Sequence, residues 1–185
     1  EGDTLVENAG QGITAGTSTY SSKSSFGRRK ALSQLQGMGI NSGSYSWNWA
    51  NPEYTSYYTD ETGNLHIVAW KDQTLYDATC NSDLNVTNVT TVKLPLPLWG
   101  GFYAAPDGNF YVAVGQKNLN EDNSITAVRI LKYSRAWKLL GATDIGGGYT
   151  NMFEGIYIPF DAASLRMTQI GSTLIVHTGR EMYGM

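Results

Sequence analysis

Two histidines, one cysteine and a scatter of carboxylates are the residues from which chemistry could be built in this 185-residue chain. His66 and His177 each lie in an apolar segment, and no His-x-His or His-x3-His spacing brings ligands to one side of an element, as a zinc site requires. Both read as buried or edge histidines. Cys80 is the sole cysteine, which excludes an intrachain disulfide and every cysteine-based zinc pattern and suits a buried, unreactive thiol. A nucleophilic serine would need a partnered histidine and a strained turn, and no Gly-x-Ser-x-Gly elbow is present. Glycoside hydrolysis needs two carboxyl groups converging in one cleft. The isolated acids are Glu53, Asp60, Asp72, Asp107, Glu154 and Asp161, and five of the six adjoin turn or loop signals, so they read as turn residues. Asn118–Ser124 places oxygens at alternate positions like the start of a calcium loop, but it lacks the sixth-position Gly and the distal Glu and reads as a polar hairpin tip. Asn85 and Asn88 begin two glycosylation sequons in a polar loop, which matter only in a eukaryotic secretory pathway. No catalytic residue, no metal site and no cofactor is expected.

The aromatics pull harder toward a function. Tyr45, Trp47, Trp49, Tyr54, Tyr57 and Tyr58 fall within one short stretch. Exposed, such rings offer flat apolar faces with polar tips to sugar rings; buried, they pack a terminal sheet or a docked helix. Both readings stay open. A net charge of −3 gives no electrostatic footprint for nucleic acid, and the one tight basic run, Arg28-Arg29-Lys30, is too short to form a binding face. No apolar window reaches the length of a membrane span. The chain begins at Glu1 with neither Met nor signal peptide, which suits a processed or excised product.

The elements that would hold these residues are mostly strands. Charged residues make up only 16%, whereas Gly (21) and Tyr (12) are abundant, a composition suited to closely spaced strands and turns. Residues 1–25 read as an extended arm or linker. Residues 26–53 hold a short helix and an aromatic strand. Ser24 or Ser25 caps the helix, Leu32, Leu35 and Met38 form its apolar stripe, and Gly37 and Gly39 end it. In Ser44–Trp49, Tyr45, Trp47 and Trp49 alternate with small polar residues along one strand face.

From residue 54 the chain repeats itself. Gly63-Asn64-Leu65-His66-Ile67-Val68 matches Gly108-Asn109-Phe110-Tyr111-Val112-Ala113 at an offset of 45 residues, and Gly171-Ser172-Thr173-Leu174-Ile175-Val176 follows 63 residues later. Each glycine is placed in a tight turn between a first and a second strand, because such turns need positive φ. The second copy is the fullest, with strands expected at Gly101–Ala105, Phe110–Gln116, Ile125–Tyr133 and Trp137–Ala142. Four hairpin-linked strands in this span have the size of one propeller blade. The pattern resembles the repeat of bacterial secreted or cell-surface β-propellers, with an Asp-Gly-Asn-aromatic-Tyr-Val turn. That resemblance implies blades at about 54–98 and 99–145 and an incomplete one at 156–185, with Gly146–Met167 an inserted loop plus the outer part of the next strand. A hairpin series in a β-sandwich is the alternative.

The expectation is therefore an all-β domain of antiparallel four-stranded blade-like sheets, a β-propeller or part of one, with one short N-terminal helix. Val112, Val114, Ile130, Ile175 and Val176 should be buried. The function expected is a non-enzymatic recognition module, secreted or at the cell surface, binding glycan or protein through Tyr45, Trp47, Trp49, Tyr54, Tyr57 and Tyr58. The alternatives are part of a carbohydrate-active hydrolase or lyase, and a structural subunit that completes a larger β assembly. Two and a fraction blades leave apolar faces open, so another polypeptide or further copies of the chain are the expected partners.

Overall fold

The computed structural model describes residues 55–146, 156–160 and 165–178. The expected arm at 1–25, the helix after Ser24 or Ser25 and the strand carrying Tyr45, Trp47 and Trp49 lie outside these residues. Everything described is β-structure and connections. The first sheet comprises β1 (Thr55–Thr59), β2 (Leu65–Lys71), β3 (Thr74–Cys80) and β4 (Val86–Lys93). The second comprises β5 (Leu98–Ala104), β6 (Asn109–Gly115), β7 (Thr126–Ser134) and β8 (Leu139–Gly146). A two-stranded hairpin, β9 (Arg166–Ile170) and β10 (Thr173–His177), follows. Both four-stranded sheets are antiparallel meanders in chain order. Among the described residues no helix is long and apolar enough to cross a membrane.

One turn design recurs. In Asp60–Asn64 the Gly63 amide donates to the Asp60 carbonyl (3.0 Å) and the Asp60 amide to the Asn64 carbonyl (3.1 Å). The same pair of bonds closes Asn81–Asn85, Ala105–Asn109 and Ser134–Lys138. In each case the fourth residue has positive φ: 83° at Gly63, 59° at Leu84, 80° at Gly108 and 59° at Trp137. Gly63, Gly108 and Gly171 all fall between the first and second strands of their sheets, as the repeat predicted. The third turn differs in build, because Ile170 pairs directly with Thr173 across a two-residue loop that begins with Gly171 (φ 57°). Trp137, expected to open the last strand of the second sheet, instead sits in the turn, and β8 starts at Leu139. The sequon asparagines also move: Asn85 closes the β3–β4 turn and Asn88 lies within exposed β4.

Two cores explain the apolar runs. Val68, Trp70 and Leu75 of the first sheet pack against Trp99, Phe110, Val112, Val114, Leu131 and Tyr133 of the second. Tyr111, Ala113, Val128 and Ile130, on the opposite face of the second sheet, pack with Phe160, Leu165, Leu174 and Val176. A strand covered on both faces has no need to alternate, and β6 reads as a continuous apolar segment for that reason. Val112, Val114 and Ile130 are buried as expected, and Cys80 is fully buried. Ile175 is 43% exposed and Val176 half-buried, which corrects the expectation for that strand. The hairpin β9–β10 packs through one face only, so Leu174 and Val176 turn to the core and Ile175 turns away. The outer strands β4 and β8 are largely exposed, and the first strands β1, β5 and β9 approach one another from sheet to sheet.

Residues 156–160, read from sequence as part of an inserted loop, supply packing. The Phe160 ring lies where a Cβ at Gly100 would come within 2.5 Å of it. At Gly115 a Cβ would meet the Ala127 carbonyl at 2.7 Å and Pro159 at 2.8 Å. The two glycines open a socket in the second sheet, and the aromatic ring fills it.

Candidate functional site

A dense polar cluster forms where the two four-stranded sheets face each other. Tyr58 on β1 lies directly opposite His66 on β2, and Asp77 on β3 is a diagonal neighbour, two residues from the Thr79 that pairs with His66. Alternation sends all three side chains to the face that meets the second sheet. The Tyr58 hydroxyl donates to Asp77 Oδ2 at 2.7 Å. His66 Nδ1 lies 2.8 Å from Asp77 Oδ1. A carboxylate can only accept, so that nitrogen carries the proton. Trp137 reaches across from the β7–β8 turn, and its indole N–H donates to Asp77 Oδ2 at 2.7 Å. Asp77 is 4% exposed and so holds three donors around one buried carboxylate, two from its own sheet and one from the next. Tyr58 and His66 stack with ring centroids 4.4 Å apart. Burial first, then the bond to Asp77, pushes the Tyr58 phenol far above its ordinary value, so it remains a neutral donor.

Asp60 borders the same cluster, with Oδ2 3.4 Å from His66 Nε2. Its carboxylate organises the β1–β2 turn by accepting from the Asn64 side chain (3.0 Å), the Thr62 hydroxyl (2.8 Å) and both backbone amides (2.9 Å each). The side-chain bonds from Asn64, then Thr62, hold it well below the usual carboxylate range.

Beneath this network sits an aromatic box. Phe110, fully buried, is ringed by Tyr58 (4.9 Å), Phe102 (5.3 Å) and Trp137 (4.6 Å). The Arg135 guanidinium lies over Phe110 at 4.6 Å and over Tyr58 at 5.6 Å. One of its N–H groups donates to the Ala105 carbonyl at 3.0 Å. Arg135 has no carboxylate partner among the described residues.

Two open grooves meet at Arg135. The first, of about 520 Å³, is lined by Ser56, Tyr57, Phe102, Tyr103 and Pro106. The second, of about 560 Å³, is lined by Asp60, Glu61, Thr62, His66 and Gly108. Tyr58, Thr59, Pro106 and Arg135 belong to both.

Of the six aromatics singled out in the sequence, Tyr57 and Tyr58 fall among the described residues, while Tyr45, Trp47, Trp49 and Tyr54 do not. Strand alternation separates the described pair: Tyr57 is 66% exposed, whereas Tyr58 has its ring against His66. Asp60 is a turn residue, as expected, and also a wall of the second groove. His66 belongs to the polar network, while His177 is exposed at the end of β10. Asp77, Arg135 and Trp137 were not singled out. Asp77 left one signal, a carboxylate in line with Leu75 on a buried strand face. In the Asn118 loop the polar atoms close on themselves: Asn118 is buried and accepts from the Asp122 amide, and Asp122 accepts from Ser124. Among the described residues no three or more His, Cys, Asp or Glu side chains gather as a metal set. Comparison with protein-family models, curated proteins and solved structures finds no match for this chain.

Proposed function

We propose that the chain is a non-enzymatic recognition module of blade-like sheets, of the secreted or cell-surface kind, and that it binds carbohydrate in the grooves meeting at Arg135. The carrying observation is that one groove is lined by both an exposed residue, Tyr57, and a guanidinium that lies over Phe110 and Tyr58 and has no carboxylate partner among the described residues. Sugar binding needs a flat apolar face beside fixed polar groups, and positioning them beforehand lowers the entropy lost on binding. The sheet architecture supports the blade reading: four-stranded meanders stack face to face with their first strands adjacent.

The state of the carboxylates favours recognition over hydrolysis. A glycosidase general acid must stay protonated near neutral pH. Asp60, on the wall of the second groove, is held ionised by its turn. Titration of the intact protein against a panel of neutral and acidic oligosaccharides tests the proposal. Binding should appear and weaken at least tenfold in Tyr57→Ala, with no glycan cleaved. Absence of binding across the panel, or turnover of a bound glycan, would overturn it.

One further observation favours a structural role alongside this. A groove of about 430 Å³ runs between Ile130 and Ile145 of the second sheet and Leu174 and Val176 of β10. Exposed Leu139 and Leu140 extend the apolar surface along β8. A surface of this kind suits assembly with another polypeptide or further copies of the chain. Sedimentation velocity over a range of concentrations would reveal such association, and a monomer at every concentration would exclude self-assembly.

A further inference from the structure

We infer that the saccharide recognised at this site is anionic, a pyranose carrying a carboxylate or a sulfate ester, and that Arg135 binds the acidic group. The inference rests on the recognition reading above and narrows it. In the groove that contains Tyr57, Arg135 is the only charged side chain among Ser56, Tyr57, Phe102, Tyr103, Pro106 and itself. The second groove, which Arg135 also lines, adds the charges of Asp60 and Glu61. The surroundings of the guanidinium set its orientation. It lies over the Phe110 and Tyr58 rings, and the Ala105 carbonyl takes one N–H. The remaining in-plane donors meet no acceptor among the described residues. An arginine held this way keeps the planar fork that matches two oxygens of one anion. It is also positioned before the ligand arrives, so little side-chain freedom remains to be lost on binding.

Ser56, Tyr57, Thr59 and Tyr103 line the same groove as Arg135. A pyranose in this groove would direct a ring substituent toward Arg135. On the Asp60 side, a neighbouring sugar would find acceptors for its hydroxyls. A ligand acidic at one residue and neutral at the next therefore fits the change in charge from one groove to the other. A cation would meet Arg135 at the junction and be repelled.

Calorimetric titration of the intact chain tests this with three oligosaccharides of equal length: an oligogalacturonate, a sulfated galactan and a neutral galactan. The expected result is that at least one acidic oligomer binds tenfold or more tighter than the neutral one, and that added salt weakens it. Arg135→Ala should abolish the difference, and Arg135→Lys should restore only part of it, because an ammonium lacks the fork. Arg135→Gln keeps a planar cover over Phe110 and guards against loss of fold; it should bind like the alanine variant. Preference for the uronate alone or for the sulfate ester alone identifies the source of the anion. Equal affinity for all three, unchanged in Arg135→Gln, overturns the inference and leaves the recognition reading standing. Binding of an acidic peptide with no saccharide bound overturns both, as does the absence of any binding.

Discussion

Trp137 shows how much one residue can carry. It holds the fourth position of a turn that elsewhere uses Gly63 and Gly108, with φ at 59°. A side chain in that conformation costs roughly 1–2 kcal/mol, and the turn tolerates it because the indole reaches the buried Asp77 and closes one wall of the box around Phe110. Trp137→Phe keeps the ring and loses the donor, so it should destabilise the fold by about 1–3 kcal/mol by leaving Asp77 short of a partner. Chemical denaturation would check this, and a variant of unchanged stability would show that the bond contributes nothing. Asp60 supports a second prediction. Its pKa is lowered below the ordinary 3.8, so its contribution is fully present above that value and lost as pH falls through the folded one. Melting temperature should fall below about pH 4, and Asp60→Asn should blunt that acid loss; an identical profile in the variant would refute the assignment. Little of this was legible in the sequence. Asp60 and Gly63 announce a turn through local chemistry, whereas the bond from Trp137 to Asp77 joins residues 60 positions apart, on different sheets. No spacing rule connects them.

The strands and their turns were the most legible elements. Asp-Gly-Asn and Thr-Gly-Asn specify positive φ at a fixed place, and the apolar runs that follow specify buried strands, so β2 and β6 and the turns before them could be read from local pattern alone. The pattern misled at β10, whose run looks like that of β6 but is covered on one face only. It also concealed the role of residues 156–160. Gly100 and Gly115 look like strand weaknesses in sequence, yet their missing side chains are what admits Phe160. Gly115→Ala would force a methyl group against the Ala127 carbonyl, which backbone pairing holds in place. A loss of about 1–3 kcal/mol is expected. Pairing it with Phe160→Ala should recover little, because the clash is with backbone. Full recovery in the double variant would place the clash on the ring instead.

Across the molecule, the second sheet is the shared partner. One of its faces forms the first core with β2 and β3, and the other forms the second core with Phe160, Leu165 and β10. The Asp77 network ties the first sheet to the second through Trp137, while Arg135 spans the same seam from Tyr58 to Ala105. Stability in stacked units of this kind depends on neighbours as much as on each unit's own strands. The matching turns could be seen in sequence, but the polar bridge across the seam could not, because it depends on how the sheets face each other.

Strand β6 has hydrogen-bonded neighbours on both edges, β5 and β7, and a core on either face. Water can therefore reach its amides only when both sheet interfaces have opened. In deuterium exchange, Val112 and Val114 should retain their protons longest, and their protection should report the opening free energy of the whole stack. The exposed outer strand β8 should exchange through smaller, local openings. The slowest amides of this protein would thus serve as an internal gauge of the proposed binding: on that proposal, a saccharide at the seam should slow exchange in β6 without touching that strand.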